Sequence, residues 1–125
     1  MDVVRQAQCL KILNGLKRRQ AKNAGWFLRP VSEKNFDKVF CADYKAKISN
    51  PMDLGTMTQR IEKTQHYKTV QDFVLDLRRI FGNCLRFNTT KQDTVRPVAL
   101  SMLLTAEQLM AHHLGNQVQP PLLYC

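Results

Sequence analysis

The sequence predicts an all-α fold, a four-helix bundle with one long loop between its first and second helices. Three observations carry this. Apolar residues return at a helical period in four separate segments, no segment shows the strict alternation of a strand, and Asn, Asp, Gly and Pro stand where helix caps and breaks are wanted. The 125 residues are 44% hydrophobic and 23% charged, the size and composition of one globular domain, with no internal repeat or linker.

The first helix runs from Val3 to about Lys22, where Val3, Ala7, Leu10, Leu13 and Leu16 can share a stripe. Lys17, Arg18, Arg19 and Lys22 suit the negative end of its dipole, and Asn23 and Gly25 mark its stop. From Trp26 to Ala42 the chain carries Pro30 and no sustained period, which predicts a long irregular loop. Trp26, Phe27, Leu28, Val31, Phe36, Val39 and Phe40 make that loop apolar, so it is expected to pack over the core, either as the wall of a binding site or simply tacked down. A short helix is expected over Asp43 to Ile48, stopped by Pro51.

Asp53 stands where a helix cap is wanted, ahead of the inward residues Leu54, Met57 and Ile61 of a helix reaching about Lys63. Thr69 and Asp72 form a capping-box variant before the strongest periodic run, Val70, Phe73, Leu77, Ile80 or Phe81, and Cys84. Asp93 or Thr94 can cap the last helix, where Pro97 is tolerated because first-turn N–H groups have no partner within the helix. Val98, Met102, Ala106, Leu109 and His113 continue its inner face, and Gly115 with Pro120-Pro121 ends it. The expected domain is 1–115, followed by a tail, 116–125, without structure of its own.

The formal net charge is +9, from 19 Lys and Arg against 10 Asp and Glu, which favours acidic partners at long range and makes nucleic acid a rival ligand. The cations are scattered, with one cluster at Lys17, Arg18, Arg19 and Lys22 and others at Lys45, Lys47, Arg78 and Arg79. Cys9, Cys41, Cys84 and Cys125 show no paired spacing, which predicts reduced thiols and an intracellular setting. No run of about 18 apolar residues predicts a membrane span, and the first residues lack the apolar stretch of a signal peptide.

Catalysis is not expected. His66, His112 and His113 form no constellation, and phosphate loops, paired catalytic carboxylates and metal-ligand spacings are missing from the sequence, so neither metal nor cofactor is expected. The oddity is Asn88, which falls four residues past Cys84 and ends an otherwise apolar helix face with an amide. Either it caps the helix C-terminus, or its amide points into the end of the bundle and offers a donor pair and an acceptor to a buried guest.

Asp43-Tyr44, Pro51-Met52-Asp53-Leu54, Tyr67, Phe73, Asp76 and Asn83-Cys84-x-x-Phe87-Asn88, with Phe27-x-x-Pro30-Val31 before them, resemble the bromodomain pattern from about Phe27 to Thr94. The resemblance implies a left-handed four-helix bundle that binds N-acetyl-lysine, chiefly on histone tails, between two interhelical loops. It implies that Asn88 donates to the acetyl carbonyl and that Tyr44 holds the same oxygen through a water. Phe27 and Val31 would line the pocket, Phe87 is the aromatic before the asparagine, Thr94 the gatekeeper, and Trp26 and Cys84 neighbours of the site. It further implies acetylated histone peptides as partners, a nuclear setting, a monomer as an isolated domain, and at most weak contact with nucleosomal DNA.

The family's Trp-Pro-Phe shelf reads Gly25-Trp26-Phe27 here, leaving open whether Trp26 replaces the shelf tryptophan. The loop from Val31 to Asp43 is a few residues longer than in familiar members, which leaves Val39 and Cys41 unplaced relative to the pocket, and the small Thr94 should widen the entrance. A free lysine would bring an ion into an apolar cavity at a cost of several kcal/mol, and none of the matched pocket residues is a carboxylate. Acetylation leaves a neutral amide whose burial is tolerable once hydrogen-bonded. Two rivals stand beside this reading: a basic helical nucleic-acid binder, and a scaffold whose pocket has degenerated.

Overall fold

The computed structural model describes residues 1–89 and 94–121. The first helix, α1 (Val3–Arg19), starts at Asp2, whose carboxylate accepts the Arg5 N–H at 2.8 Å. Its buried residues are Cys9, Ile12, Leu13 and Leu16, and Gly15 lets the Leu109 side chain of the last helix approach closely. The expected stripe is correct at Leu13 and Leu16, but Val3 and Ala7 lie on a neighbouring face and are exposed. The helix stops at Arg19, short of Lys22, because Gln20 leaves the helical path and its amide donates to Ser101 Oγ at 3.0 Å and Thr105 Oγ1 at 2.8 Å.

The crossover, residues 20–53, is not irregular throughout. A 3-10 turn spans Ala24–Phe27, and α2 spans Lys38–Lys47, beginning well before the expected Asp43 because Asp37 caps it through the Phe40 N–H at 2.7 Å. α2 buries none of its residues completely. The loop is also packed less fully than its composition implies. Phe27 is buried edge-on against Phe81 at 5.1 Å, whereas Trp26 is 64% and Val39 81% exposed.

α3 (Leu54–Glu62) is capped as expected: Asp53 Oδ2 accepts the Thr56 N–H at 2.8 Å and Oδ1 the Thr56 hydroxyl at 2.7 Å. Leu54, Met57 and Ile61 are buried. Gly55 donates its N–H to the Leu28 carbonyl at 3.2 Å, and a Cβ there would lie 2.5 Å from that oxygen, so glycine allows the crossover to lie against the start of α3.

α4 (Val70–Phe87) opens with the full capping box of Thr69 and Asp72. It buries Phe73, Val74, Leu77, Ile80 and Phe81, each worth about 1.5–3 kcal/mol for an aliphatic or aromatic side chain removed from water. α5 (Val95–Leu114) buries Ala99, Met102, Leu103, Ala106, Leu109 and Met110. Thr94 occupies its N-cap position without a side-chain capping bond, and Asp93, the other expected cap, lies outside the described residues. Pro97 sits in the first turn as expected.

Packing joins α1 to α5, α5 to α4, α4 to α3 and α3 to α1, a closed four-helix arrangement that leaves α2 outside. Polar groups lock it at two points. Asp76, 4% exposed, accepts from Tyr67 and Arg60 at 2.7 Å each and from Arg79, while Arg78 binds Glu107 in a two-pronged pair at 2.7 and 2.9 Å. The stretch after Gly115, expected without structure, turns back instead: Val118 packs on the core and the Gln119 carbonyl accepts from Arg78 at 2.8 Å. Residues 122–125, with Cys125, lie outside the described part. No described helix is long and apolar enough to cross a membrane.

Candidate functional site

A cavity of about 270 Å³ opens between the crossover and the C-terminal end of α4. α4 brings Ile80, Cys84, Phe87 and Asn88 to it along one face, since these positions recur at helical spacing. The opposite wall comes from the crossover: Phe27 at the floor, held by Phe81, then Pro30 and Val31, then Phe36, Phe40 and Tyr44. Phe40 stacks on Phe36 with centroids 4.6 Å apart, and both Phe40 and Tyr44 meet Phe87 edge-on at 5.3 and 5.0 Å. This aromatic cluster explains α2, whose inner face forms the cavity wall and not the bundle core.

The helix ends here for identifiable reasons. Asn88 is the C-cap of α4, and its backbone N–H and its side-chain Nδ2 both donate to the Cys84 carbonyl at 3.0 Å. Arg96, from the first turn of α5, donates to the Leu85 carbonyl at 2.6 Å and to the Asn88 carbonyl, so it satisfies acceptors that the end of a helix otherwise leaves open. The Asn88 amide is therefore both a cap and a wall of the cavity; the two readings of the sequence are compatible. Nδ2 also approaches Cys84 Sγ, a weak acceptor, at 3.6 Å, so the contacts to Cys84 fix the group while leaving an N–H that a stronger acceptor can take.

The crossover is held in register from α4. Asn83, 5% exposed, donates to the Asn50 carbonyl at 2.8 Å, just before Pro51, and so fixes the approach to Met52 and Asp53 at the cavity. Burial first, and then nearby Cys84 and Asp53, push the Tyr44 phenol above its ordinary pKa, so it remains a neutral donor across the physiological range. Among the described lining residues only Arg29 and Asp53 carry charge, and Asp53 is buried with both oxygens engaged by Thr56. A wider depression of about 530 Å³ along α4 is lined by Arg78, Arg79 and Arg86 together with the amides of Asn50, Gln71, Asn83 and Gln119, and has no aromatic ring among its described lining residues.

Asn88, Tyr44, Phe27, Val31, Phe87, Thr94, Trp26 and Cys84, the eight residues singled out by sequence, all line the 270 Å³ cavity. Trp26 stands at its lip with the indole largely in solvent. Val39 and Cys41 do not line it: Val39 points to solvent, and Cys41 borders a separate depression behind α2. Phe36 and Phe40, which the sequence offers only as part of an apolar loop and not as individual site residues, line the cavity as well; with Tyr44 they recur at four-residue spacing around the capping Asp37. The described residues contain no group of His, Cys, Asp and Glu placed to hold a metal ion.

The bromodomain family model matches residues 9–99. The chain belongs to the bromodomain family. It is 36% identical over 91 residues, 73% of the chain, to the SWR1 complex bromodomain subunit bdf1 of Schizosaccharomyces pombe, of which this covers 15%. It is 37% identical over 89 residues, 71% of the chain, to the transcription factor GTE1 of Arabidopsis thaliana, covering 22% of that protein. The chain thus spans less than a quarter of the length of these relatives. Among solved structures it is similar to the second bromodomain of a Cryptosporidium parvum protein, complexed with bromosporine, with a TM-score of 0.78, 27% identity, and coverage of 86% of this chain and 88% of that one. The closed arrangement of α1, α3, α4 and α5 is accordingly the left-handed bromodomain bundle, and the family's role is that of an acetyl-lysine reader.

Proposed function

We propose that this bromodomain binds N-acetyl-lysine on protein tails in the 270 Å³ cavity, with Asn88 donating to the acetyl carbonyl and Tyr44 holding the same oxygen through a water. The observation that carries this is the Asn88 amide, fixed at the end of α4 and facing a cavity whose other walls are the aromatic cluster of Phe27, Phe40, Tyr44 and Phe87. Such a site rewards a neutral amide and penalises an ammonium: with Asp53 sealed in its cap, no carboxylate among the described lining residues is available to compensate a buried lysine charge. Phe27, Val31 and Phe87 take the acetyl-methyl end, Cys84 fills the wall beside Asn88, and Thr94 and Trp26 flank the entrance.

The finer assignments rest on this reading. Acetylated histone tails are the first ligands to test, the setting is the nucleus, the isolated domain is a monomer, and its role is recognition without catalysis. A weak contact with nucleosomal DNA is a secondary role, supported by exposed Arg18, Arg19 and Lys22 at one end of α1.

The test is calorimetric titration with acetylated and unmodified copies of the same peptides, using wild type and Asn88→Ala. Removing one partner of a buried hydrogen bond costs about 1–3 kcal/mol, so the variant should bind the acetylated peptide roughly 5- to 150-fold more weakly while remaining folded, with a melting temperature lowered only by the loss of the cap bond to the Cys84 carbonyl. Equal affinity for modified and unmodified peptides would overturn the proposal.

A further inference from the structure

The groove that continues from the cavity mouth carries two positive charges that no described acidic residue pairs. Lys22, Gly25, Trp26, Leu28, Arg29, Asn35 and Phe36 form this second depression, of about 510 Å³. Trp26, Arg29 and Phe36 are walls of both spaces, so a chain leaving the cavity on this side meets Trp26 and Arg29 and enters the groove that Lys22 also lines. Both cations are exposed, and neither forms an ion pair with a described residue. No described lining residue of the groove is acidic. The nearest carboxylate of the cavity itself, Asp53, is spent on Thr56, and Lys47, near Phe87 on another side of the mouth, is already paired with Asp43 at 3.2 Å.

We infer that this groove is a subsite for acidic residues flanking the acetyl-lysine, so that the domain selects acetylated segments with Asp, Glu or another anionic neighbour over densely basic ones. The inference rests on the acetyl-lysine reading of the cavity and names the sequence class that the same site would prefer. Charge complementarity argues for it, as does continuity with the cavity, which fixes where a flanking residue must lie. The exposed face of Trp26 adds an apolar platform for the peptide's backbone and aliphatic stems. A Lys or Arg flank would meet two like charges in the same place and find no acceptor of opposite sign along the groove.

The experiment uses three peptides with one central acetyl-lysine and flanks of Glu, of Gly and Ser, or of Lys, each also made without the acetyl group, and follows the fluorescence of the single tryptophan, Trp26. At about 50 mM salt the Glu-flanked peptide should bind roughly threefold tighter than the Gly/Ser peptide and the Lys-flanked one roughly threefold weaker, a spread that shrinks at about 500 mM as screening shortens the reach of exposed charges. Lys22→Glu should cancel or invert the order of the Glu- and Lys-flanked peptides, and Arg29→Gln should narrow the Glu-to-Lys ratio.

Acetyl-dependent binding with equal affinity for all three flanks, or a preference for Lys, overturns the subsite while leaving the cavity's role intact. So does a DNA duplex that loses affinity in Lys22→Glu while the three peptides bind alike, since the cations would then serve a nucleic acid. If the acetylated and unacetylated peptides bind alike, both the cavity's role and the subsite are overturned.

Discussion

Tyr44 shows how one side chain is tuned by its surroundings. It sits 5.0 Å from Phe87 and beside Cys84 and Asp53, and burial, followed by those two groups, raises its pKa. The phenol of the folded protein thus holds its proton where a free tyrosine, with a pKa near 10, would lose it. Because the folded pKa is the higher one, the stability linked to this group is complete below about pH 10 and is lost as pH rises past it. Acetyl-peptide affinity should accordingly be flat from about pH 6 to pH 9, and Tyr44→Phe should lower it about threefold to tenfold throughout, as expected for a lost hydrogen bond of about 1 kcal/mol. A step in wild-type affinity near neutrality would show that a different titrating group governs binding. Asn88 sits at the end of an apolar stripe that periodicity makes legible, but periodicity alone does not distinguish a helix cap from a group lining a cavity, and Asn88 both caps α4 and lines the cavity.

At the scale of the element, the crossover depends on being pressed against α3. Gly55 accepts no side chain without a clash of 2.5 Å with the Leu28 carbonyl, a backbone atom that cannot swing away as a flexible side chain would. Gly55→Ala should therefore lower stability by about 1–3 kcal/mol, the usual range for overpacking, and weaken acetyl-peptide binding as well, because Leu28 lies between Phe27 and the Pro30-Val31 wall. Thermal melts and titration of the same variant check both; a stable variant with unchanged affinity would show that the crossover yields freely. The caps of α3 and α4 were readable because Asp53, Thr69 and Asp72 act through adjacent backbone groups. α2 was half readable for the opposite reason. Phe40 and Tyr44 face a cavity instead of a core, so Val39 stays in solvent, none of the positions of Lys38–Lys47 is fully buried, and the short Phe36, Phe40, Tyr44 spacing is all the periodicity the segment offers. The exposed start of α1 misled in the other direction, since Val3 and Ala7 are apolar residues at helical spacing that no neighbouring helix covers.

Over the whole molecule, acids and bases are used unequally. Of the ten acidic residues, Asp2, Asp37, Asp53 and Asp72 serve helix N-termini, and Asp43, Asp76 and Glu107 are held in ion pairs with Lys47, with Arg60 and Arg79, and with Arg78. Structure thus consumes most of the negative charge, while many of the 19 cations remain at the surface of a chain whose net charge is +9. Salt then acts in two opposed ways. It screens the attraction within pairs, but the Asp76 and Glu107 pairs are partly buried and feel little screening, while it relieves repulsion among exposed cations over distances of about a Debye length, roughly 8–10 Å. Repulsion should dominate, so raising NaCl from about 50 to 300 mM should raise the melting temperature by about 2–5 °C, equivalent to roughly 1 kcal/mol. The affinity for a peptide with uncharged flanks should stay within about twofold over the same range, because burial of a neutral amide displaces no counterions. A melting temperature that falls with salt would mean that the ion pairs, and not the excess of cations, set the electrostatic balance of the fold.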